Sequence, residues 1–209
     1  MVRVCVCGGG NAAHVLAATV GGGHSLSIYA GFADEADKFN KGLAENNGEV
    51  HLVENGVVTR KGKPTMVSKD PNIVSTAEVV LLPVPSFAHP TIMSEIASHV
   101  SPGTVLVALP GQGGFQWTAR EHLGSKADTC VIAGINQLPY QCRILDYGKS
   151  VDLIGHKEVV ALGTVPSTEA SRVSQLLQSI IQMTQVTPLS HFLVVTLTPA
   201  NQVIHPSIM

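Results

Sequence analysis

The residues best suited to chemistry stand near the two ends of the chain. At the start, Gly8-Gly9-Gly10-Asn11-Ala12-Ala13 fits the spacing G-x-G-x-x-G/A. The pattern has a mechanism when it follows a strand, opens a helix and leads to a second strand. Gly8 permits the tight turn, Gly10 leaves the backbone open to a pyrophosphate, and Ala13 lets helix and strand pack closely. The N–H groups of Gly10, Asn11 and Ala12 then point at the phosphates, aided by the helix dipole. Beyond the second strand an acidic group binds the ribose 2′-OH of NAD, whereas a cation accommodates the 2′-phosphate of NADP. The sequence there is Gly31-Phe32-Ala33-Asp34-Glu35, with no Lys or Arg before Lys38, so NAD is the expected cofactor. Asp34 is either the ribose ligand or a helix N-cap. A P-loop fits poorly: Gly56 and Gly62-Lys63 have one residue too many between them, and Pro64 follows.

At the far end, no Asp, Glu, Lys or Arg occurs after Arg172 through Met209, and the only ionisable side chains there are His191 and His205. Asn201 precedes His205 by one helical turn and shares its face, and Pro206 disturbs the helix locally. His205 titrates near neutral pH and can supply a proton to a developing negative charge; the alternative is a core histidine bound to a backbone carbonyl. Gln112, flanked by glycines beyond a buried strand, is either a group beside a ligand or part of a flexible loop. His89 either starts a helix or faces the carboxyl edge of the sheet, where ligands of open α/β folds bind. Cys142 has no His or Asp nearby in sequence to activate it, which favours packing or a passive pocket wall over a nucleophile. The remaining histidines show no HxxxH or HExxH spacing, so no metal site is expected.

These groups need a scaffold, and the patterning supplies one. Strands are expected at Arg3–Cys7, Ser25–Ala30, Thr65–Ser68, Val79–Val84, Thr104–Leu109 and Cys130–Gly134. Helices are expected at Asn11–Val20, Asp34–Leu43, Thr91–Val100, Phe115–Leu123 and Ser167–Met183, the last with an apolar stripe. Asn55-Gly56 joins Glu49–Glu54 to Val57–Lys61 as a hairpin, and Val151–Gly155 with Val159–Gly163 reads as a second, closing hairpin. Strands alternating with helices predict an α/β fold, a Rossmann-type, doubly wound, mostly parallel sheet. Residues 1–187 form the NAD-binding domain in this reading, and 188–209 begin a helical second domain.

Composition narrows the function. The 209 residues carry 13 Lys+Arg against 15 Asp+Glu, a net charge of −2, without the basic stripe that nucleic-acid binding requires. Only 4% are aromatic, which disfavours base stacking, and 20 glycines among many aliphatic residues suit strands buried on both faces. No apolar run suits a signal peptide or a membrane span: Pro83, Pro85 and Pro90 break the best candidate. Four cysteines without a CxxC suggest a reducing, cytoplasmic setting. The charge-free segment is expected to be covered, either by a C-terminal domain beyond these residues or by self-association.

Taken together, Cys7–His14, Val84-Pro85-Ser86-Phe87-Ala88-His89, Pro110–Phe115, Leu138-Pro139-Tyr140-Gln141-Cys142-Arg143 and Ile204-His205-Pro206 resemble, in order and spacing, the opine dehydrogenase family. The resemblance implies a Rossmann domain with NAD and a helical domain beyond it, with the active site between them. It implies reductive condensation of a keto acid such as pyruvate with an amino acid, using NADH. It further implies His205 as catalytic acid/base, Pro85 beside the cofactor, and Gln112 and Cys142 beside the amino acid. Asn136 stands where an acidic partner for a guanidinium is expected; its neutral amide favours an uncharged amino acid, such as alanine, glycine, β-alanine or taurine. The alternatives are a reductase of the ketopantoate or glycerol-phosphate dehydrogenase type, and an NAD-binding module without turnover. These 209 residues alone are expected to bind cofactor with almost no turnover.

Overall fold

In the computed structural model, which describes residues 1–20 and 23–198, β1 (Arg3–Cys7) leads through Gly8–Gly10 into α1 (Asn11–Thr19). Then come β2 (Ser25–Tyr29), α2 (Glu35–Glu45), β3 (Val50–Glu54), β4 (Val57–Gly62) and β5 (Met66–Ser68). The middle of the chain forms β6 (Val79–Leu82), α3 (His89–Ile96), β7 (Val105–Ala108), α4 (Phe115–Leu123) and β8 (Val131–Ile135). It closes with β9 (Tyr140–Asp146), β10 (Ser150–His156), β11 (Val159–Val165), α5 (Ala170–Ile180), β12 (Gln185–Pro188) and α6 (Leu193–Thr196).

Eight strands make the main sheet, in the order β12-β11-β8-β7-β6-β1-β2-β5. All neighbours are parallel except β8 and β11. Central strands such as VVLL and VLVA are buried throughout, because helices cover both faces. Met93, Ile96, Phe115 and Ala119 of α3 and α4 fill one face; α1, α2 and α5 fill the other through Leu16, Phe39 and Leu177. From β1 the strands step outward to β2 and β5, and then from β6 toward the opposite edge. The order therefore reverses between β1 and β6, and ligands of open α/β sheets bind at the carboxyl ends beside such a reversal.

A second sheet, β4-β3-β10-β9, packs on the far side of α1. Residues Ala12–Thr19 are all buried, which explains why α1 is rich in alanine on every side rather than amphipathic. At Gly62 an added Cβ would run into the Ala17 carbonyl. The expected hairpin at Asn55-Gly56 is present, with both residues at positive φ.

The expected closing hairpin of Val151–Gly155 with Val159–Gly163 is not formed. β10 pairs with β3 and β9 in the second sheet, whereas β11 pairs with β8 and β12 in the main sheet. The short link at Lys157-Glu158 thus carries the chain from one sheet to the other instead of reversing it. In the charge-free segment, the rest of α5 covers the main sheet, β12 forms its edge strand, and Phe192 and Val195 are buried. They sit where Gly111, Gly134 and Gly163 bring backbones together: a Cβ on Gly163 would lie 2.8 Å from Phe192 Cα, and one on Gly134 2.9 Å from Phe192 Cζ. Val194 and Leu197 of the same segment face outward.

Candidate functional site

A cavity of about 690 Å³ opens at the strand reversal. Its floor is the Gly8–Ala12 loop; its walls are the turn after β2, the Pro83–Ala88 segment after β6, and the Thr91–Glu95 face of α3. Gly8 has φ +120°, which L side chains rarely adopt, and a Cβ there would meet Val84 Cγ1 at 2.8 Å. Its N–H is held by the Tyr29 carbonyl at 2.7 Å, so the turn is tied to the end of β2. Gly10 is the N-cap of α1, and a Cβ on it would have no atom of the described residues within 4 Å. The space above the helix N-terminus is thus open, as an approaching anion requires. Ala12 and Ala13 are buried, and their small side chains let α1 sit close to the sheet.

The second sheet braces the loop. The Asn11 side-chain oxygen accepts the Ile144 N–H at 2.9 Å. His14 Nε2 accepts the Gly148 N–H at 2.9 Å, which leaves Nδ1 protonated to donate to the Gly10 carbonyl at 2.9 Å. The ring packs against Phe39 and Tyr147, with centroids at 4.4 and 4.9 Å. Burial, only partly offset by the Gly10 carbonyl, lowers its pKa to about 4, so His14 is a neutral strut at physiological pH. Gly9, which sequence reasoning passed over, is buried because a Cβ there would lie 2.5 Å from the Tyr147 hydroxyl and 2.9 Å from Glu35 Oε2.

Asp34 stands at the N-cap position of α2, but its side chain makes no cap bond. It pairs with Lys38 at 2.9 Å, and the hydrogen bond from that ammonium holds its carboxyl below the usual range. The cavity receives Glu35 instead; burial raises the Glu35 pKa, while the Gly9 backbone hydrogen bond opposes the rise. Pro85 lines the cavity, together with two exposed aromatics, Phe32 and Phe87. Tyr29 and Glu95 also reach it, joined by a 2.7 Å hydrogen bond from the phenol to Glu95 Oε2. Sequence reasoning missed Tyr29, Glu35 and Glu95 as cavity residues; Glu35 stands next to Asp34 in the segment it considered.

A second cavity, about 560 Å³, shares Asn11 and Leu138 with the first and includes Cys142 and Arg143 in its lining. Burial pushes the Cys142 thiol up to about 11, so it stays protonated at neutral pH and is no nucleophile. Gln112 is buried, and its amide donates to the Asn136 carbonyl at 2.8 Å. The Asn136 side-chain oxygen accepts the Ala161 N–H at 2.9 Å. Gln112 and Asn136 therefore meet beyond the ends of β7 and β8. His89 starts α3 with its ring against Phe115 at 4.9 Å; burial lowers its pKa to about 4 despite a Val84 carbonyl bond, and it does not line the main cavity. Asn201, His205 and Pro206 lie outside the described residues. Among the described residues no His, Cys, Asp and Glu cluster could hold a metal, and no helix is long and apolar enough to cross a membrane.

A scan against protein-family models finds no match. Among curated proteins, octopine dehydrogenase of Pecten maximus is 35% identical over 215 residues, covering 100% of this chain and 54% of that protein. Tauropine dehydrogenase of Arabella iricolor is 32% identical over 217 residues, 100% of this chain and 55% of that protein. The chain therefore spans about half the length of the curated relatives it matches. A solved octopine dehydrogenase with NADH and L-arginine superposes with a TM-score of 0.88 at 33% identity, over 100% of this chain and 53% of that one. By sequence along its whole length and by fold, the chain belongs to the opine dehydrogenase family.

Proposed function

We propose that this chain is the cofactor-binding part of an NAD-dependent opine dehydrogenase, which joins a keto acid of the pyruvate class to an amino acid. The observation that carries the reading is the glycine loop at the strand reversal, open above Gly10 and leading to a cavity of about 690 Å³. These residues fit a dinucleotide: helix N-terminal amides for the pyrophosphate, no side chain in its path, and no Lys or Arg in the cavity wall among the described residues. The relatives' names and the NADH in the octopine dehydrogenase structure support the cofactor and the reaction class.

When bound, the nicotinamide supplies a hydride to the imine formed, with loss of water, from the keto acid carbonyl and the amino acid nitrogen. This chain orients the phosphates on the Gly10, Asn11 and Ala12 amides and excludes a side chain at Gly10. Gln112, Asn136 and Cys142 border the amino-acid side, where Gln112 acts as a neutral polar wall and Cys142 as an uncharged one. Asn136 favours a neutral amino acid, because a guanidinium away from water requires an ionised partner. His205 is the proton donor and acceptor at the reacting nitrogen in this reading. In the same reading, a C-terminal domain or a second copy of the chain covers the apolar Val194 and Leu197.

Steady-state NADH oxidation by the whole protein tests it. Oxidation is expected to need pyruvate and an amino acid together, with alanine, glycine, β-alanine or taurine faster than arginine. Pyruvate alone giving the same rate would make the protein a hydroxyacid dehydrogenase instead.

A further inference from the structure

The sequence pattern looks for the residue that chooses between NAD and NADP just past β2, where Asp34 is paired with Lys38. Besides Asp70, whose Oδ1 accepts the Asn72 N–H at 2.9 Å, three carboxylates stand near the end of β2, one paired at the surface and one held under the glycine loop. Asp34 is exposed and paired with Lys38. Glu35 lies beneath the glycine loop, beside Gly9 and Tyr147. The third, Glu95, comes from α3 across the strand reversal, 66 residues from Tyr29 in sequence. Tyr29 is the last residue of β2, and its phenol donates to Glu95 Oε2 at 2.7 Å. A Cβ on Gly31 would run into the same phenol, which places the Tyr29–Glu95 pair against the backbone just past β2. That is where the adenosine ribose of a dinucleotide lies in this fold.

We propose that Glu95, held by Tyr29, is the carboxylate that accepts from the adenosine ribose and excludes a 2′-phosphate. The inference rests on the dinucleotide reading given above. The Tyr29 hydrogen bond occupies Oε2 and leaves Oε1 for a ribose hydroxyl. Among the described residues Glu95 and Glu35 are the only charged side chains lining the cavity, both negative, so a 2′-phosphate would meet repulsion with no cation there to offset it. Tyr29 is a positioning residue: without its phenol the flexible Glu95 side chain is no longer fixed over the ribose. Glu95 stands on the exposed side of α3, so its substitution leaves the core intact.

The test is the ratio of NADPH to NADH dissociation constants, measured by cofactor fluorescence for wild type and for Glu95→Gln, Tyr29→Phe, Asp34→Asn and Glu35→Gln. Glu95→Gln is expected to tighten NADPH and weaken NADH, lowering the ratio by roughly tenfold or more. Tyr29→Phe should lower it by a smaller factor, and Asp34→Asn should leave it unchanged. Wild-type discrimination should also fall between 0.1 and 1 M salt, as the screening length drops from about 10 to about 3 Å, and Glu95→Gln, which keeps only Glu35, should show a smaller dependence. A ratio within about twofold of wild type in Glu95→Gln, or a larger change in Glu35→Gln or Asp34→Asn, would overturn the assignment. Wild type binding neither nucleotide would overturn the dinucleotide reading itself, and this inference with it.

Discussion

His14 joins the glycine loop to the second sheet, and its protonation should loosen that joint. Nε2 must accept the Gly148 N–H at 2.9 Å, so a proton there sets donor against donor inside the core. The pKa of about 4 lies below the ordinary value of about 6.5. The unfolded chain therefore binds more protons than the native one between these two values, and stability falls as pH drops through that window. The shift corresponds to about 3 kcal/mol in full, of which about 2 kcal/mol is lost by pH 5. Phe at position 14 keeps a ring against Phe39 and Tyr147 but strands the Gly148 N–H, at about 1–3 kcal/mol. His14→Phe should therefore be less stable than wild type at pH 7, and the gap should close or reverse by pH 5. His89 titrates in the same window in both proteins and cancels in the comparison. Urea unfolding followed by circular dichroism at the two pH values measures the gap. A gap that is the same at pH 7 and pH 5 would refute the strut.

Gly163→Ala should destabilise the fold by about 1–3 kcal/mol, because its Cβ would stand 2.8 Å from Phe192 Cα; limited proteolysis should then cut near Leu189–Thr198 first, and unchanged stability would contradict the tight seat. All four cysteines are free and buried, so a thiol reagent should label them slowly in the native protein and fully in urea; rapid native labelling of Cys142 would contradict its protonated, enclosed state. Gly10→Val should retain the wild-type melting temperature within a few degrees while losing cofactor affinity, since no atom of the described residues lies within 4 Å of the added Cβ. A large drop in melting temperature would show that Gly10 serves packing.

The β1–α1–β2 unit was legible because its signals are local: a strand, the glycine spacing and an alanine-rich helix follow one another directly. The buried strands β6 and β7 were legible for the same reason, as short aliphatic runs between turn residues. The second sheet was not. β10 and β11 are separated by a hairpin-length link, and nothing local tells a reversal from a step between sheets. Tyr140-Gln141-Cys142-Arg143 does alternate buried with exposed, the period of a strand, and that partner for β10 could have been read. β12 offers only four residues ending in proline. Within the site, the glycine loop is legible from spacing, but Asp34, the first acidic residue after β2 and read as ribose ligand or N-cap, is engaged in an exposed ion pair with Lys38. Glu95 could not be found this way, since it reaches the end of β2 only through the crossover to β6 and α3. The position of His14 as a strut likewise depends on Gly148, far along the chain, and no pattern around His14 announces it.

The central claim is that the cavity above Gly10 takes a nicotinamide dinucleotide, and titration of NADH into the 209-residue chain tests it most directly. Saturable binding at one site per chain, weakened about a hundredfold or more by Gly10→Val in a protein that still unfolds cooperatively, is the predicted result. No binding by wild type, or equal binding by folded Gly10→Val, would contradict it.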